Sequence, residues 1–315
     1  MSGQIRGNGT PALPLPPPAH ELPLPAPHPG DGGVRLLLGV PYAATRGIRP
    51  LEVDLVLPPE GDGPVPVVVF LHGGGWQVGS RHSAGPAYRG ARPTPFERIA
   101  QAGIAVASVD YRLSGEAVWP AQLHDAKAAV RWLRARAGDI GIDPDRIAAW
   151  GESAGGHLAE LLGLTIEDAE LEGDVGITGP SSAVSAVAAW YAPSDVAAVA
   201  TDVGADPTDP DTREARLLGA PAPSVPELAA QASPISRVSP GAPPFLLLHG
   251  EADQFIPAVQ SVRLHTALVA AGVRAELYLY EDADHMWVGS PEAAAEALTR
   301  TVAFLREQLI ERDQT

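Results

Sequence analysis

Hydrophobic positions along the chain form short runs that alternate with longer segments of helical period. The runs Val67–Leu71, Ile104–Val109 and Phe245–His249 are apolar almost throughout, which is typical of parallel strands covered on both faces. Leu51–Leu57 instead alternates apolar and charged residues, as a half-exposed strand near a sheet edge does. The predicted strands are Val34–Leu38, Leu51–Leu57, Val67–Leu71, Ile104–Val109, Arg146–Trp150, Val184–Tyr191, Phe245–His249 and Glu276–Tyr280.

Segments between these strands carry apolar residues at helical spacing. In Ala121–Ala137, for example, Leu123, Ala126, Val130 and Leu133 share one stripe. Strands that alternate with helices indicate right-handed βαβ units. We therefore predict an α/β fold with a central, mostly parallel sheet of about eight strands and helices on both faces. The predicted helices are Ala121–Ala137, Ser153–Leu164, Val259–Ala271 and Pro291–Leu309.

Residues 1–30 differ from the rest of the chain in composition. Nine prolines lie between Pro11 and Gly30, and proline has no N–H group to donate within a helix or sheet. We interpret this segment as an extended or disordered arm, with a ligand for a proline-recognition module as the alternative. We expect residues 31–315 to form a single domain, because 165–183 and 200–240 resemble loop excursions and no second core is apparent.

Composition narrows the possible functions. The chain has 315 residues, no cysteine and a formal net charge of -16, so disulfides, thiolate metal sites and a cysteine nucleophile are excluded. The negative charge argues against nucleic acid or an anionic membrane surface as a partner. We expect a small-molecule partner, no cofactor and no metal. Neither a secretory signal nor a membrane-spanning stretch is recognised, which favours the cytoplasm; the oligomeric state stays open.

A candidate nucleophile lies in the sequence Gly-Glu-Ser-Ala-Gly-Gly, in which the serine is Ser153. The motif follows an apolar strand that ends at Trp150 and opens a helix, the context in which a G-x-S-x-G pattern carries catalytic meaning. A sharp strand-to-helix turn crowds the positions two residues either side of the serine, so glycine is needed at Gly151 and Gly155. An ordinary glycine-rich turn is the alternative interpretation.

A second glycine-rich segment, His72-Gly73-Gly74-Gly75-Trp76, follows directly on a buried strand. Glycines leave backbone N–H groups unshielded, and a tetrahedral intermediate needs two or three such donors aimed at its oxyanion. We assign the amides of Gly73, Gly74 and Ala154 to this task. A phosphate-binding loop is the alternative, but the segment has neither dinucleotide spacing nor the Lys-Ser/Thr of a P-loop.

A serine nucleophile needs a base, and the base needs a group that orients it. Of nine histidines, His285 is the candidate base because it stands in a loop between the last strand and the last helix. Asp253 is the candidate acid, since it follows the neighbouring strand directly. Asp195 is the rival acid and Glu251 a weaker third choice.

These residues together resemble the α/β-hydrolase fold, in its HGGG branch that includes the bacterial hormone-sensitive-lipase-like esterases. The likeness is closer still over VDYRLS at 109–114, WPAQLHDAK at 119–127 and GIDPDRI at 141–147. These segments are similar to bacterial esterases grouped with acetyl-xylan and feruloyl esterases. The resemblance covers residues from about 34 to 310 and implies one α/β-hydrolase catalytic domain. Asp110 and Asp125 also match family positions, and we interpret both as structural.

The resemblance implies a serine hydrolase in which Ser153 is the nucleophile, His285 the base and then the acid, and Asp253 the orienting group. We expect a carboxylesterase that cleaves small or aryl acyl esters through an acyl-serine intermediate. An amidase of the kynurenine-formamidase kind, or a biosynthetic acyl-transfer or cyclising enzyme, would share this apparatus and remains an alternative. Trp76 and Trp287 flank the proposed loop and base, and either can line the substrate pocket or lie in the core.

Overall fold

Nine strands form one mixed sheet in the computed structural model, which describes residues 18, 21–44, 49–166 and 168–311. The strands are β1 His28–Pro29, β2 Arg35–Ala43, β3 Leu51–Leu57, β4 Val65–Leu71, β5 Ala105–Val109, β6 Ile142–Glu152, β7 Val187–Trp190, β8 Phe245–Gly250 and β9 Ala275–Tyr280. Their order in the sheet is β1-β2-β3-β5-β4-β6-β7-β8-β9. Antiparallel pairing joins β1, β2, β3 and β5, and every pairing from β5 through β4 to β9 is parallel.

Helices cover both faces of the sheet. The α-helices are α1 Pro95–Gln101, α2 Ala121–Ala135, α3 Ala137–Ile140, α4 Ala154–Leu164, α5 Val199–Asp202, α6 Arg213–Leu218, α7 Pro226–Gln231, α8 Val259–Ala270 and α9 Pro291–Arg306. Side chains of β4 alternate between two apolar cores. Val67 and Val69 share one core with α2, α4 and α8, and Val68 and Phe70 share the other with α1 and α9. No helix in the described part of the chain is long and apolar enough to cross a membrane.

The predicted α/β architecture is confirmed, with differences at the ends of elements and in the loops. All eight predicted strands are present: Leu51–Leu57 has the predicted ends, and the other seven have shifted ends. The expectation that Leu51–Leu57 is half-exposed was wrong, because this strand is third from the sheet edge and buried at six of its seven positions. The ninth strand is β1, which lies inside the predicted arm. Most of the remainder of that arm lies outside the described residues. Helix α1 was missed, although Thr94 and Glu97 form a capping box at its start. Short helices α5, α6 and α7 also occupy the region predicted as a loop excursion.

Two acidic residues that match family positions are bound by arginines. Asp125 is fully buried and accepts hydrogen bonds from the Arg112 guanidinium at 2.7 and 2.8 Å. Asp110 accepts hydrogen bonds from the backbone amide of Arg81 at 3.0 Å and from its guanidinium at 2.6 Å. Both pairs hold the segment after β5 against its neighbours, because a buried charge requires a hydrogen-bonded partner.

The turn from β6 to α4 packs directly against β4. A Cβ atom added at Gly155 would lie 2.0 Å from the Leu71 carbonyl oxygen, and one at Gly151 would lie 2.2 Å from the Gly155 carbonyl oxygen. Neither position has room for a side chain. Ser153 between them has φ 51°, a left-handed value that is costly for a non-glycine residue. Close packing of the turn therefore holds the serine in this conformation.

We predict that Gly155→Ala destabilises the fold by about 3 kcal/mol, because the new methyl group overlaps backbone atoms that cannot move independently. Gly138→Ala is the matched control, since nothing lies within 4 Å of its Cβ position, and should change the free energy of unfolding by less than about 1 kcal/mol. Urea unfolding followed by circular dichroism measures both. Equal unfolding midpoints for the two variants would contradict the account of this turn.

Candidate active site

Ser153 stands at the carboxyl edge of the sheet, where β6 ends and α4 begins. It is the N-cap residue of α4, and its side chain makes no capping hydrogen bond. The hydroxyl group is thus available to a partner outside the helix. Its position at the positive end of the helix dipole favours negative charge developing close to it.

The structure brings together the three residues predicted as nucleophile, base and acid. The Ser153 Oγ atom lies 3.0 Å from His285 Nε2, and His285 Nδ1 lies 2.6 Å from Asp253 Oδ2. A carboxylate can only accept a hydrogen bond, so Nδ1–H donates to Asp253 and leaves Nε2 able to accept the serine proton. The geometry supplies an oriented base beside a hydroxyl group.

Asp253 is anchored on both of its oxygens. Its Oδ1 atom accepts hydrogen bonds from the amides of Phe255 and Ile256 at 2.9 and 2.8 Å. Its Oδ2 atom contacts His285 and also His249 Nε2, at 3.3 Å. Burial alone would raise the pKa of Asp253, but the hydrogen bonds from His249 and His285 outweigh it and hold the pKa well below its usual range. The carboxylate is therefore charged at neutral pH.

His249 is a neighbour of the site that the sequence did not single out for a role. It is fully buried, and its Nε2–H donates to the Ile256 carbonyl oxygen at 2.7 Å. Its Nδ1 lies 2.7 Å from Ser261 Oγ, which fixes the other edge of the ring. The imidazole thereby supports the loop that presents Asp253. Its location at the end of β8, four residues before Asp253, was the available signal.

The rival acids lie elsewhere. The backbone amide of Asp195 donates to Gln260 Oε1 at 2.8 Å, and within the described residues no hydrogen bond links Asp195 to His285. Glu251 is exposed to solvent. Asp284 Oδ1 accepts hydrogen bonds from the amides of His285 and Gln254, which shapes the loop and leaves the imidazole to Asp253. Of the predicted acids, only Asp253 contacts the His285 ring.

The glycine-rich segment after β4 lies beside the serine, as predicted, but one predicted donor is already engaged. The amide of Gly73 donates to Glu152 Oε1 at 3.3 Å. Within the described chain, the amides of Gly74, Gly75 and Ala154 have no hydrogen-bond acceptor. The amide of Gly75 is thus available beside those of Gly74 and Ala154, whereas the Gly73 amide contributes to holding the loop. The sequence offered three consecutive glycines and could not show which amide was occupied.

His72 maintains the shape of this loop. Burial lowers its pKa, which favours the neutral ring, and Nδ1–H donates to the Gly73 carbonyl oxygen at 2.7 Å. Its ring stacks on Tyr111 with 4.3 Å between centroids, and the Tyr111 hydroxyl donates to the His72 carbonyl oxygen at 2.8 Å. These contacts fix the loop in front of Ser153.

Glu152 and Tyr191 link the two sides of the site. The Tyr191 hydroxyl donates to Glu152 Oε2 at 2.6 Å, and its ring meets the His285 ring edge-on at 4.8 Å. Burial raises the pKa of Glu152. One side-chain pair thus contacts both the base and the glycine loop. Sequence reasoning gave neither residue a role, although Tyr191 follows β7 at the same sheet edge as the other site residues.

A cavity of about 240 Å³ opens in front of Ser153 and His285. Trp76 lines it, although its side chain is almost wholly buried in the core. Trp287 packs in the core against Trp190, Tyr191 and Tyr280 and is absent from the cavity wall. Val78, just after the glycine-rich segment, also lines the cavity, as do Arg213 and Glu214 from segment 200–240. Segment 165–183 contributes no residue to the wall. Among the described residues, no cluster of three or more His, Asp or Glu side chains could hold a metal.

Known proteins similar to this chain are esterases. Esterase LipC of Mycobacterium tuberculosis is 36% identical over 63% of this chain and 47% of its own length. Esterase LipQ of the same organism is 33% identical over 68% of this chain and 48% of its own length. The chain therefore spans about half the length of these curated relatives.

Solved structures agree with this comparison. A truncated carbohydrate esterase from gut microbiota matches with a TM-score of 0.76 at 29% identity, covering 89% of this chain and 98% of that one. Thermogutta terrifontis esterase 2 matches with a TM-score of 0.70 at 27% identity, covering 89% and 94%. The same esterase phosphonylated by sarin matches with a TM-score of 0.69 at 27% identity, covering 89% and 96%.

The fold and the family follow from these findings. An α/β-hydrolase fold with esterase neighbours confirms the resemblance to hormone-sensitive-lipase-like serine esterases. The BD-FAE family profile matches residues 53–268, which is more than half of the chain. The chain therefore belongs to the BD-FAE family.

Proposed function

We propose that this protein hydrolyses small carboxylic esters through an acyl-serine intermediate. The observation that carries the proposal is the chain of hydrogen bonds from Ser153 to His285 to Asp253, at 3.0 and 2.6 Å, facing a cavity of about 240 Å³. The names of the relatives and structural neighbours support ester hydrolysis. We infer a small-molecule substrate, because the serine faces a cavity of this size.

In the first half of the reaction, His285 Nε2 takes the proton of Ser153 as the oxygen attacks the ester carbonyl carbon. The resulting imidazolium is stabilised by the charged Asp253. The carbonyl oxygen becomes an oxyanion, which we assign to the amides of Gly74, Gly75 and Ala154. His285 then gives its proton to the leaving alcohol, and the acyl group stays on Ser153.

In the second half, a water molecule replaces the alcohol. His285 takes a proton from this water as it attacks the acyl carbon, a second oxyanion forms at the same three amides, and collapse releases the acid. The proton returns to Ser153. His285 thus acts once as base and once as acid in each half of the reaction. Its ring must therefore stay within hydrogen-bond reach of the Ser153 oxygen and of the oxygen of the alcohol or water.

The alternatives expected from the sequence are not favoured. A formamidase or an acyl-transfer enzyme would use the same serine, but the relatives and structural neighbours bear the names of esterases. We propose that residues 31–315 form a single catalytic domain. The cytoplasmic location and the extended arm stay predictions from the sequence.

Hydrolysis of p-nitrophenyl acetate by the purified chain and by Ser153→Ala tests the proposal. We expect the variant to lose at least about 10³-fold in kcat/KM, because no other hydroxyl group occupies the turn beside His285. Circular dichroism checks that the variant remains folded. Equal rates for the two proteins would overturn the assignment of the nucleophile.

The acid is tested by comparing Asp253→Asn with Asp195→Asn. Asparagine at 253 keeps the shape but removes the charge and favours the wrong imidazole tautomer, so kcat should fall by about 10⁴-fold. The change at 195 should leave kcat within about twofold, since that side chain is not bonded to His285. The reverse pattern would transfer the orienting role to Asp195.

A further inference from the structure

The wall of the catalytic cavity holds one arginine, Arg213, at the start of α6. Two carboxyl groups, Glu152 and Glu214, also line this cavity; burial raises the pKa of both, and attraction to Arg213 partly opposes that rise at Glu214. The only remaining titratable group in the wall is His285. Arg213 is therefore the one permanently cationic side chain on this wall.

The Arg213 side chain is exposed to solvent and forms no ion pair with a carboxylate, although its charge attracts that of the neighbouring Glu214. Within the described residues, no acidic oxygen lies within 4.0 Å of it and no hydrogen bond leaves its nitrogens. Arg216, three residues further along the same helix, does pair with Asp211 at 3.0 Å. Five N–H donors at the cavity mouth thus stay available to a ligand.

The Arg213 side chain lies against both the glycine loop and Phe255, which is next to His285. Its Cζ atom lies 5.1 Å from the centre of the Phe255 ring, and that ring lies 5.6 Å from the His285 ring. Its Cδ atom would lie 2.7 Å from a Cβ atom at Gly75, so the stem crosses the glycine loop. The Phe255 ring therefore lies between the Arg213 guanidinium and the His285 ring. Because residue 75 is a glycine, the Arg213 side chain has room to approach the proposed oxyanion site.

We propose that Arg213 binds a carboxylate carried by the ester substrate, so that the enzyme prefers esters of small dicarboxylic acids or of hydroxy acids. The inference rests on the proposed esterase function. A guanidinium pairs with a carboxylate through two parallel N–H donors, and the Phe255 face supports the guanidinium plane. The overall negative charge of the chain opposes such a substrate at long range, but screening limits that repulsion to about 8–10 Å.

Two pairs of substrates show whether the carboxylate that Arg213 binds lies on the acyl side or on the alcohol side of the ester. The first pair carries the charge on the acyl side: the mono-p-nitrophenyl ester of glutaric acid and its terminal amide. The second pair carries it on the alcohol side: acetoxyacetate and acetoxyacetamide. Within each pair the shape is nearly constant and only the charge changes. The quantity compared is the ratio of kcat/KM for the carboxylate to kcat/KM for the amide.

We expect Arg213→Gln to lower this ratio about tenfold in one of the two pairs, and that pair assigns the carboxylate to the acyl or the alcohol side. Arg213→Lys should recover part of the ratio, because it restores charge without the planar fork. The control Arg216→Gln removes an exposed arginine from the same helix and should leave the ratio unchanged. Raising NaCl from 0.05 to 0.5 M should reduce the ratio of the native enzyme.

A ratio that stays the same in Arg213→Gln for both pairs would overturn this inference while leaving the esterase proposal intact. Failure of the native chain to hydrolyse p-nitrophenyl acetate and all four of these esters faster than Ser153→Ala does would instead overturn the proposed function. Circular dichroism of each arginine variant separates a loss of folding from a loss of preference. The two claims are therefore tested by different readouts of one set of measurements.

Discussion

Close packing of the β6–α4 turn against β4 is the constraint on which the site depends. With 2.0 Å between the Cβ position of Gly155 and the Leu71 carbonyl oxygen, the turn has no space for anything except glycine. The same contact places the start of α4 beside the glycine loop that leaves β4. Ser153 is consequently held at a left-handed φ with its hydroxyl at the sheet edge, in front of the loop amides. Nucleophile and proposed oxyanion donors are thus positioned by one piece of backbone packing.

Hydrogen bonds between neighbouring loops complete the arrangement. Asp253 is fixed by two backbone amides and two imidazoles, which holds its charge in place before any substrate arrives. On the opposite side, Tyr191 contacts the His285 ring and donates to Glu152, whose other oxygen accepts from Gly73. Such fixed dipoles and charges need little reorganisation during a reaction, which is the physical basis of electrostatic catalysis.

Much of the fold was predictable because its signals are local. Unbroken apolar runs marked the parallel strands, and the glycines around Ser153 marked the turn. Contacts between distant segments were not predictable. The amide of Gly73 is occupied by Glu152, 79 residues away, and Trp287 faces the core rather than the pocket. Likewise, the sequence shows a charged residue at Arg213 but not that it lacks an acidic partner beside the cavity.

The central claim is that Ser153 is a nucleophile activated by His285. The most direct measurement is mass spectrometry of the native chain after reaction with a fluorophosphonate, which forms a stable covalent adduct with activated serines. The account predicts one adduct per chain, mapped by fragmentation to Ser153, and strongly slowed labelling in His285→Ala. An adduct on another residue, or equal labelling of Ser153→Ala, would contradict it.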